Sequence, residues 1–244
     1  MMTMRWPAFS RRLLLATSAV ALLTTACGGG GSSDETGVDN FGAELVSRVA
    51  RTGVAGTWGY VAPDGSRYAL MGTARGVLVL DLRDPAQPRV VDEIDGPTNT
   101  TVQGTYWREM RVHGSYAYVV SEHTNFRGGI MILDLSGLPA AVRFVKSVVP
   151  RDGQLAAHSL DIDTARGLLY LQRVTDLSAP AAATGRAMAL QHPVGGPDDG
   201  SVEIYDIATD PENPAYVTTF NQHRSAHDMT AEGNSAYVAE RRAA

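Results

Sequence analysis

The sequence predicts an all-β fold, and three features of the chain support this prediction. A short apolar run that ends in Asp occurs three times, and each copy is rich in the aliphatic residues of a buried strand. Turn residues follow the runs, and pairs of shorter apolar segments joined by Gly or Asn come before them. After the first 26 residues, no segment has the periodicity of an amphipathic helix. A four-strand unit repeated along one chain is typical of β-propeller blades.

The apolar run is the most regular element of the repeat. Its copies are GVLVLDL at 76–82, GIMILDL at 129–135 and GSVEIYDI at 200–207. We expect Leu80, Ile132 and Leu133 to be buried. The three aspartates should lie at equivalent strand ends and accept hydrogen bonds from turn amides. These aspartates are Asp81, Asp134 and Asp206.

The turn after the run has a signature of its own. It reads DPAQP at 84–88 and DPENP at 210–214, whereas the second unit keeps only Pro139. Proline fixes φ and lacks an amide proton, so two prolines around polar residues end one strand and delay the next. A weaker strand is expected after each turn.

Two further strands precede each Asp-ended strand, which gives four antiparallel strands per unit. Units this short cannot each close a separate core, which disfavours tandem sandwiches. We predict an incomplete β-propeller over residues 41–244, with about three blades plus part of a fourth. The blades are expected at about 57–95, 106–149, 157–221 and 226–240. Their cores should contain Tyr60, Tyr118, Tyr170 and Tyr237.

Residues 44–49 resemble the fourth strand of a unit, as a comparison with 89–94 shows. The fourth unit contributes only two strands, so we expect an open arc in which 44–49 is either unpaired or added to the partial blade. Open arcs expose strand edges, which favours association or poor solubility. The alternative is that a second chain supplies the missing blades.

The first 26 residues have the three zones of an export signal. A basic stretch precedes an apolar run at 13–23, which is too short to span a ~30 Å hydrocarbon core as a helix and suits a cleavable signal. The residues before Cys27 resemble a bacterial lipobox, although Leu23 lies one place early. A Gly/Ser-rich tether follows at 27–40. We predict a lipoprotein signal peptide at 1–26 and a lipid on Cys27, with an ordinary signal peptide as the alternative.

The predicted lipid would attach the protein to a membrane of the bacterial cell envelope. By resemblance to Gram-negative lipoproteins, Gly28 after the cysteine favours the outer membrane. The segment Ser10-Arg11-Arg12 also resembles a twin-arginine signal, and both export routes stay open. Removing the leader takes away three arginines and no acidic residues, so the formal charge falls from −5 to −8. Nucleic acid is therefore not expected as a partner.

The chain resembles LVIVD-repeat propellers and, more closely, the choice-of-anchor B family of bacterial surface proteins. The resemblance covers about 44–240. It is carried by Trp58-Gly59-Tyr60, Tyr106-Trp107-Arg108-Glu109, Ala157-His158-Ser159, Ala226-His227-Asp228 and the three Asp-ended strands. It implies a propeller fold and a location at the cell surface, and it assigns no catalytic residue.

Polar residues recur at the start of the predicted first strands. Arg108, His158 and His227 occupy equivalent places and are followed by Glu109, Ser159 and Asp228. First strands line the central channel of a propeller, so these side chains should meet at one channel mouth. Imidazole and carboxylate ligate zinc or iron, which allows a divalent metal on His158, His227 and Asp228. The alternative, favoured by the repetition, is that each polar side chain fixes the spacing of neighbouring blades.

Two functions remain open. The chain has no Gly-x-Ser-x-Gly, phosphate-binding glycine loop, His-Glu-x-x-His or Cys-x-x-Cys motif, and its single cysteine leaves no thiol framework for zinc. The favoured hypothesis is a non-catalytic binding or scaffold module with an unknown protein or small-molecule ligand and no resident cofactor. The rival is a periplasmic metal-dependent hydrolase with its ion at the channel mouth.

Overall fold

The computed structural model describes residues 44–96, 108–121, 127–151, 157–172, 202–220 and 226–240, which form three four-stranded sheets and one two-stranded sheet. The first sheet contains β1 (Val54–Val61), β2 (Arg67–Thr73), β3 (Gly76–Asp81) and β4 (Arg89–Asp95). The second contains β5 (Arg108–His113), β6 (Tyr116–Ser121), β7 (Ile130–Asp134) and β8 (Arg143–Val148). The third contains β9 (Ser159–Asp163), β10 (Leu168–Gln172), β11 (Val202–Asp206) and β12 (Ala215–Phe220). The fourth contains β13 (Ala226–Glu232) and β14 (Ser235–Glu240).

Neighbouring strands within each sheet are consecutive in sequence and antiparallel. The described residues contain no helix, which confirms the predicted all-β class. Accordingly, no described helix has the length and apolar character needed to cross a membrane. Residues 1–43 lie outside the described residues, and they include the predicted leader, Cys27 and the tether. Residues 175–199 also lie outside the described residues.

The third strand of each four-stranded sheet ends in the same local structure. The carboxylate of Asp81 accepts the amide of Arg83 at 2.9 Å, that of Asp134 accepts Ser136 at 2.9 Å, and that of Asp206 accepts Ala208 at 2.8 Å. Each side chain thus bonds the backbone two residues on, which closes the turn that follows the strand. The predicted role of the three aspartates is confirmed.

A β-bulge lies at the same place in each four-stranded sheet. The pairing of third and fourth strands shifts register between Val79 and Leu80, between Ile132 and Leu133, and between Ile204 and Tyr205. The residue skipped on the fourth strand is a valine each time, namely Val91, Val145 and Val217. Bulges increase the local twist, so the outer strand of each sheet turns away in the same manner.

Hydrophobic cores lie between successive sheets. Val79 of the first sheet packs in one core with Leu133 of the second, and Ile132 packs on the other face with Leu160 of the third. Third strands are therefore buried on both faces, and Leu80, Ile132 and Leu133 are buried as predicted. The first strands lie side by side in the order β1, β5, β9 and β13. Sheets stacked face to face around their first strands make an incomplete β-propeller, so we call the four sheets blades 1 to 4.

Two expectations concern the outermost parts of this stack. Residues 44–53 belong to no sheet, so of the two arrangements expected for 44–49 the structure shows the unpaired one. Tyr60, Tyr118 and Tyr170 are buried as predicted, but the prediction for Tyr237 is wrong, since it is 72% exposed. Tyr237 alternates with Val238, which packs towards blade 3, so its ring lies on the opposite face of blade 4.

Candidate functional site at the channel mouth

Strand register places the polar residues of the first strands in two rows. Glu109 pairs with Val120, Ser159 with Gln172 and Asp228 with Ala239, which are equivalent positions of the second strands. Because the first strands are neighbours, Glu109, Ser159 and Asp228 form one row across three blades. A second row lies two residues further along each strand, at Trp58, Arg111, Asp161 and Thr230.

The two predicted histidines are in direct contact. The ring centroids of His158 and His227 lie 4.0 Å apart, with 59° between the ring planes. Nδ1 of His227 is 3.4 Å from a carboxylate oxygen of Asp228, and these two side chains are 44% and 57% exposed. The buried Ser159 Oγ lies 2.7 Å from the carbonyl oxygen of His227, which ties blade 3 to blade 4 beneath the ring pair. The structure therefore brings together the three residues predicted for the metal.

Glu109 lies next to this group on the neighbouring blade. Burial raises the pKa of its carboxyl group, the charge of Asp228 raises it further, and the guanidinium of Arg111 opposes both effects. Oε2 of Glu109 is 3.6 Å from Nη1 of Arg111. Gly56 faces this carboxylate from blade 1, where a Cβ would stand 2.5 Å from the carbonyl oxygen of Arg108. Only glycine lets β1 approach β5 so closely.

Arg108 occupies the histidine position of the repeat, but its side chain extends towards blade 1. Its side chain is 1% exposed, and Nη2 is 3.4 Å from the carbonyl oxygen of Ala74. Burial lowers the pKa of Arg108 to about 10, which still leaves it protonated at neutral pH. The predicted channel-mouth group is thus divided: Asp228 is exposed, His158, His227 and Glu109 are half-buried, and Arg108 and Ser159 are buried.

The second row forms a chain of contacts that the sequence did not reveal. The guanidinium carbon of Arg111 lies 4.3 Å from the centroid of the Trp58 ring, and Nε donates to Asp161 at 3.2 Å. The other carboxylate oxygen of Asp161 accepts the amide of Ala231 at 2.8 Å. These contacts join the first strands of all four blades. The residues that make them differ in type from blade to blade, so the sequence would have pointed to them only if the four first strands had been aligned with one another.

Metal binding at the histidine pair stays a prediction. The two rings touch each other, and the Asp228 carboxylate lies beside His227. Nevertheless, no three His, Cys, Asp or Glu side chains of the described segments are grouped in a way that could hold a metal ion. A surface cavity of about 320 Å³, lined by Asp81, Arg83, Asp84, Gln87 and Arg89, lies at the opposite end of β3 and does not belong to this site.

Comparison with known proteins adds weak likenesses to solved structures. No family model matches the chain, and no curated protein matches it. A Bacteroides uniformis protein described as a 6-phosphogluconolactonase has a TM-score of 0.44 and 11% identity over 70% of this chain and 42% of its own. Hydrazine synthase of Kuenenia stuttgartiensis has a TM-score of 0.40 and 18% identity, over 72% of this chain and 38% of its own. The nidogen–laminin complex has a TM-score of 0.37 and 11% identity, over 72% of this chain and 51% of the matched chain.

The chain thus spans about half or less of the length of each of these structures. Its own sheets, with their repeated bulges and shared cores, define the class of protein. It is an all-β protein with the architecture of an incomplete β-propeller.

Proposed function

We propose that this protein is an exported, lipid-anchored β-propeller of the LVIVD-repeat, choice-of-anchor B kind, which acts as a binding or scaffold module at the bacterial cell envelope. The support for the family is the order of its motifs along the chain. The support for export and the anchor is the leader with its single cysteine. The ligand, a protein or a small molecule, binds at the channel mouth formed by His158, His227, Asp228 and Glu109.

The observation that carries the binding role is the contact between His158 and His227 beside two carboxylates. These groups come from blades 2, 3 and 4, so a ligand that spans them contacts three blades at once. The site offers imidazole donors and acceptors and two acidic groups, of which Asp228 is accessible and Glu109 is half-buried. A set of this kind suits a polar ligand with hydrogen-bond donors or positive charge.

Replacement of the lipidation residue tests the anchor. We expect Cys27→Ala to leave an uncleaved precursor or a protein that enters the aqueous phase on detergent partitioning, because no other residue can accept the lipid. The unaltered chain should enter the detergent phase, since several acyl chains together hold a protein on a membrane stably. His113→Ala, at the end of β5, is the control and should partition like the unaltered chain. An unaltered protein wholly in the aqueous phase contradicts the anchor.

Elemental analysis separates the binding module from the rival hydrolase. For the binding module, we expect zinc, iron and calcium in the purified mature protein to stay at background, with no change in His158→Ala. A stoichiometric metal that is lost in His158→Ala but kept in His113→Ala would instead support an ion at the channel mouth and the hydrolase. Both variants remove a partly exposed imidazole, from the residue before β9 in His158→Ala and from the end of β5 in His113→Ala.

A further inference from the structure

An arginine of blade 2 holds an acidic residue of blade 3 at the end of the blades that lies opposite the channel mouth. Arg143, the first residue of β8, donates to Asp134 of its own blade at 2.8 Å and to Glu212 of blade 3 at 2.6 Å. The hydroxyl of Tyr116 donates to the same Glu212 carboxylate at 3.1 Å. One guanidinium and one phenol of blade 2 thus form a carboxylate site, which blade 3 fills with a side chain of its own.

Blade 1 presents the same two residue types to blade 2. Arg89 begins β4 as Arg143 begins β8, and each of them pairs with the aspartate that ends the third strand. Tyr68 pairs with Asp81 in blade 1 as Tyr116 pairs with the equivalent aspartate in blade 2. Directly paired residues lie on one face of a sheet, and Tyr68 belongs to the core between blades 1 and 2. The Arg89 side chain therefore starts on the face of blade 1 that is turned towards blade 2.

The acidic residue that would complete this second site is absent from the sequence of blade 2. Glu212 comes six residues after Asp206, the aspartate that ends the third strand of blade 3. Six residues after Asp134, blade 2 has Ala140 instead. An alanine side chain has no hydrogen-bond acceptor, so it cannot take the place of Glu212. Among the described residues, Arg89 forms no salt bridge.

The strand-ending aspartate of blade 1 is bound by a different arginine. Nε of Arg83 lies 3.0 and 2.9 Å from the two carboxylate oxygens of Asp81, and its Nη2 donates to the same carboxylate at 2.5 Å. In blade 2 the equivalent of Arg83 is Ser136, two residues after the aspartate, which has no guanidinium. Arg83 thus satisfies Asp81, and the donors of Arg89 remain open to a ligand.

A cavity of about 320 Å³ lies beside Arg89. It is lined by two arginines, two aspartates and a glutamine, namely Arg83, Arg89, Asp81, Asp84 and Gln87. Its volume is at the lower end of the range of small-molecule pockets, ~300–1,000 Å³. The two guanidinium groups balance the two carboxylates, so a ligand carboxylate would leave one net negative charge. The filled site of Arg143, Asp134 and Glu212 has the same net charge.

We propose that this cavity binds a small organic acid, whose carboxylate accepts hydrogen bonds from Arg89 as the Glu212 carboxylate accepts them from Arg143. A guanidinium presents parallel donors that match the two oxygens of a carboxylate. The Gln87 amide and Nη1 of Arg83 are further donors for a second polar group of the ligand. This site is separate from the channel mouth, so it does not depend on the function proposed there.

Isothermal titration calorimetry of the full chain with glutarate tests the site. We expect binding in the millimolar range or tighter, which Arg89→Gln weakens by about tenfold or more, because the change removes both the charge and the paired donors. Arg67→Gln is the matched control. Arg67 is also exposed and forms no salt bridge among the described residues, but it alternates with Tyr68 and so lies on the opposite face of blade 1. Absence of glutarate binding, or equal weakening in the control, overturns the proposal.

Two further probes define the chemistry of the ligand. Glutaramide has the same length as glutarate without its charges, and it should not bind. Inorganic phosphate should bind more weakly than glutarate, because the filled site between blades 2 and 3 holds a carboxylate. Arg89→Lys keeps the charge but loses the paired donors, so its affinity for glutarate should lie between those of the unaltered chain and Arg89→Gln. Glutaramide or phosphate that binds as tightly as glutarate would show that the cavity does not select carboxylates, and would overturn the proposed ligand class.

Discussion

Leu133→Ala should lower the free energy of unfolding by ~2–5 kcal/mol, the cost of truncating a leucine in a well-packed core. Leu133 lies on β7, is 0% exposed and packs with Tyr68, Val79 and Met110 in the core between blades 1 and 2. Strands on both sides of β7 and a blade on each face restrict relaxation around the missing methyl groups. The truncation therefore leaves a cavity, which adds to the lost transfer free energy. Equilibrium denaturation followed by circular dichroism measures the change.

Leu45→Ala provides the comparison. It removes the same atoms from a side chain that is 77% exposed and belongs to no sheet, so the expected change is within about 0.5 kcal/mol. The ratio of the two effects tests the blade assignment more strictly than either value alone. Equal midpoints for the two variants would mean that β7 is not the central strand of a blade between two cores.

The features that the sequence predicted best are those fixed by local chemistry. Asp81 bonds the amide two residues ahead of it, and Asp134 and Asp206 do the same, so a repeated Asp in a repeated run was enough to predict both strand end and turn. Burial of Leu80 and Leu133 followed from continuous aliphatic runs. These predictions needed no knowledge of which blade packs on which.

Features that depend on contact between blades were harder to predict. Tyr237 has the same local sequence context as Tyr118, yet one is exposed and the other is buried, because burial is decided by whether a blade covers the face. Arg108 was grouped with His158 by position, but its length allows it to reach the carbonyl oxygen of Ala74 in blade 1. Position in a repeat predicts where the backbone of a residue lies, whereas contacts with the neighbouring blade decide in which direction its side chain extends.

The candidate site shows the same division. The repeat predicted that His158 and His227 would be near each other, and the rings do touch. It did not show that Asp161 lies opposite Arg111, which is 50 residues away in the sequence. Arginine and aspartate at equivalent positions of successive units look like ordinary variation until the two strands are placed side by side.

Asp161→Ala should be the second large effect, a loss of about 2–3 kcal/mol of unfolding free energy. The change removes the partner of a guanidinium that is 17% exposed and the acceptor of the Ala231 amide. Both groups would then lie partly buried without their present bonds. The expected loss stays below that of a wholly isolated buried charge, because Glu109 lies 3.6 Å from Arg111 and the Trp58 ring still faces the cation. Denaturation in urea measures it at neutral pH.

Asp95→Ala is the matched control, because Asp95 also pairs with an arginine. The contact between Asp95 and Arg75 is 2.5 Å long, shorter than the 3.2 Å between Asp161 and Arg111. However, the side chains of Arg75 and Asp95 are 64% and 55% exposed. Solvent screens an exposed pair, so we expect a change of at most about 1 kcal/mol despite the better distance. Double-mutant cycles should give a coupling energy above about 1 kcal/mol for Arg111 with Asp161 and a smaller one for Arg75 with Asp95. The reverse order would mean that the contacts of Arg111 and Asp161 do not hold the first strands together. Packing between the apolar faces of the blades would hold them together instead.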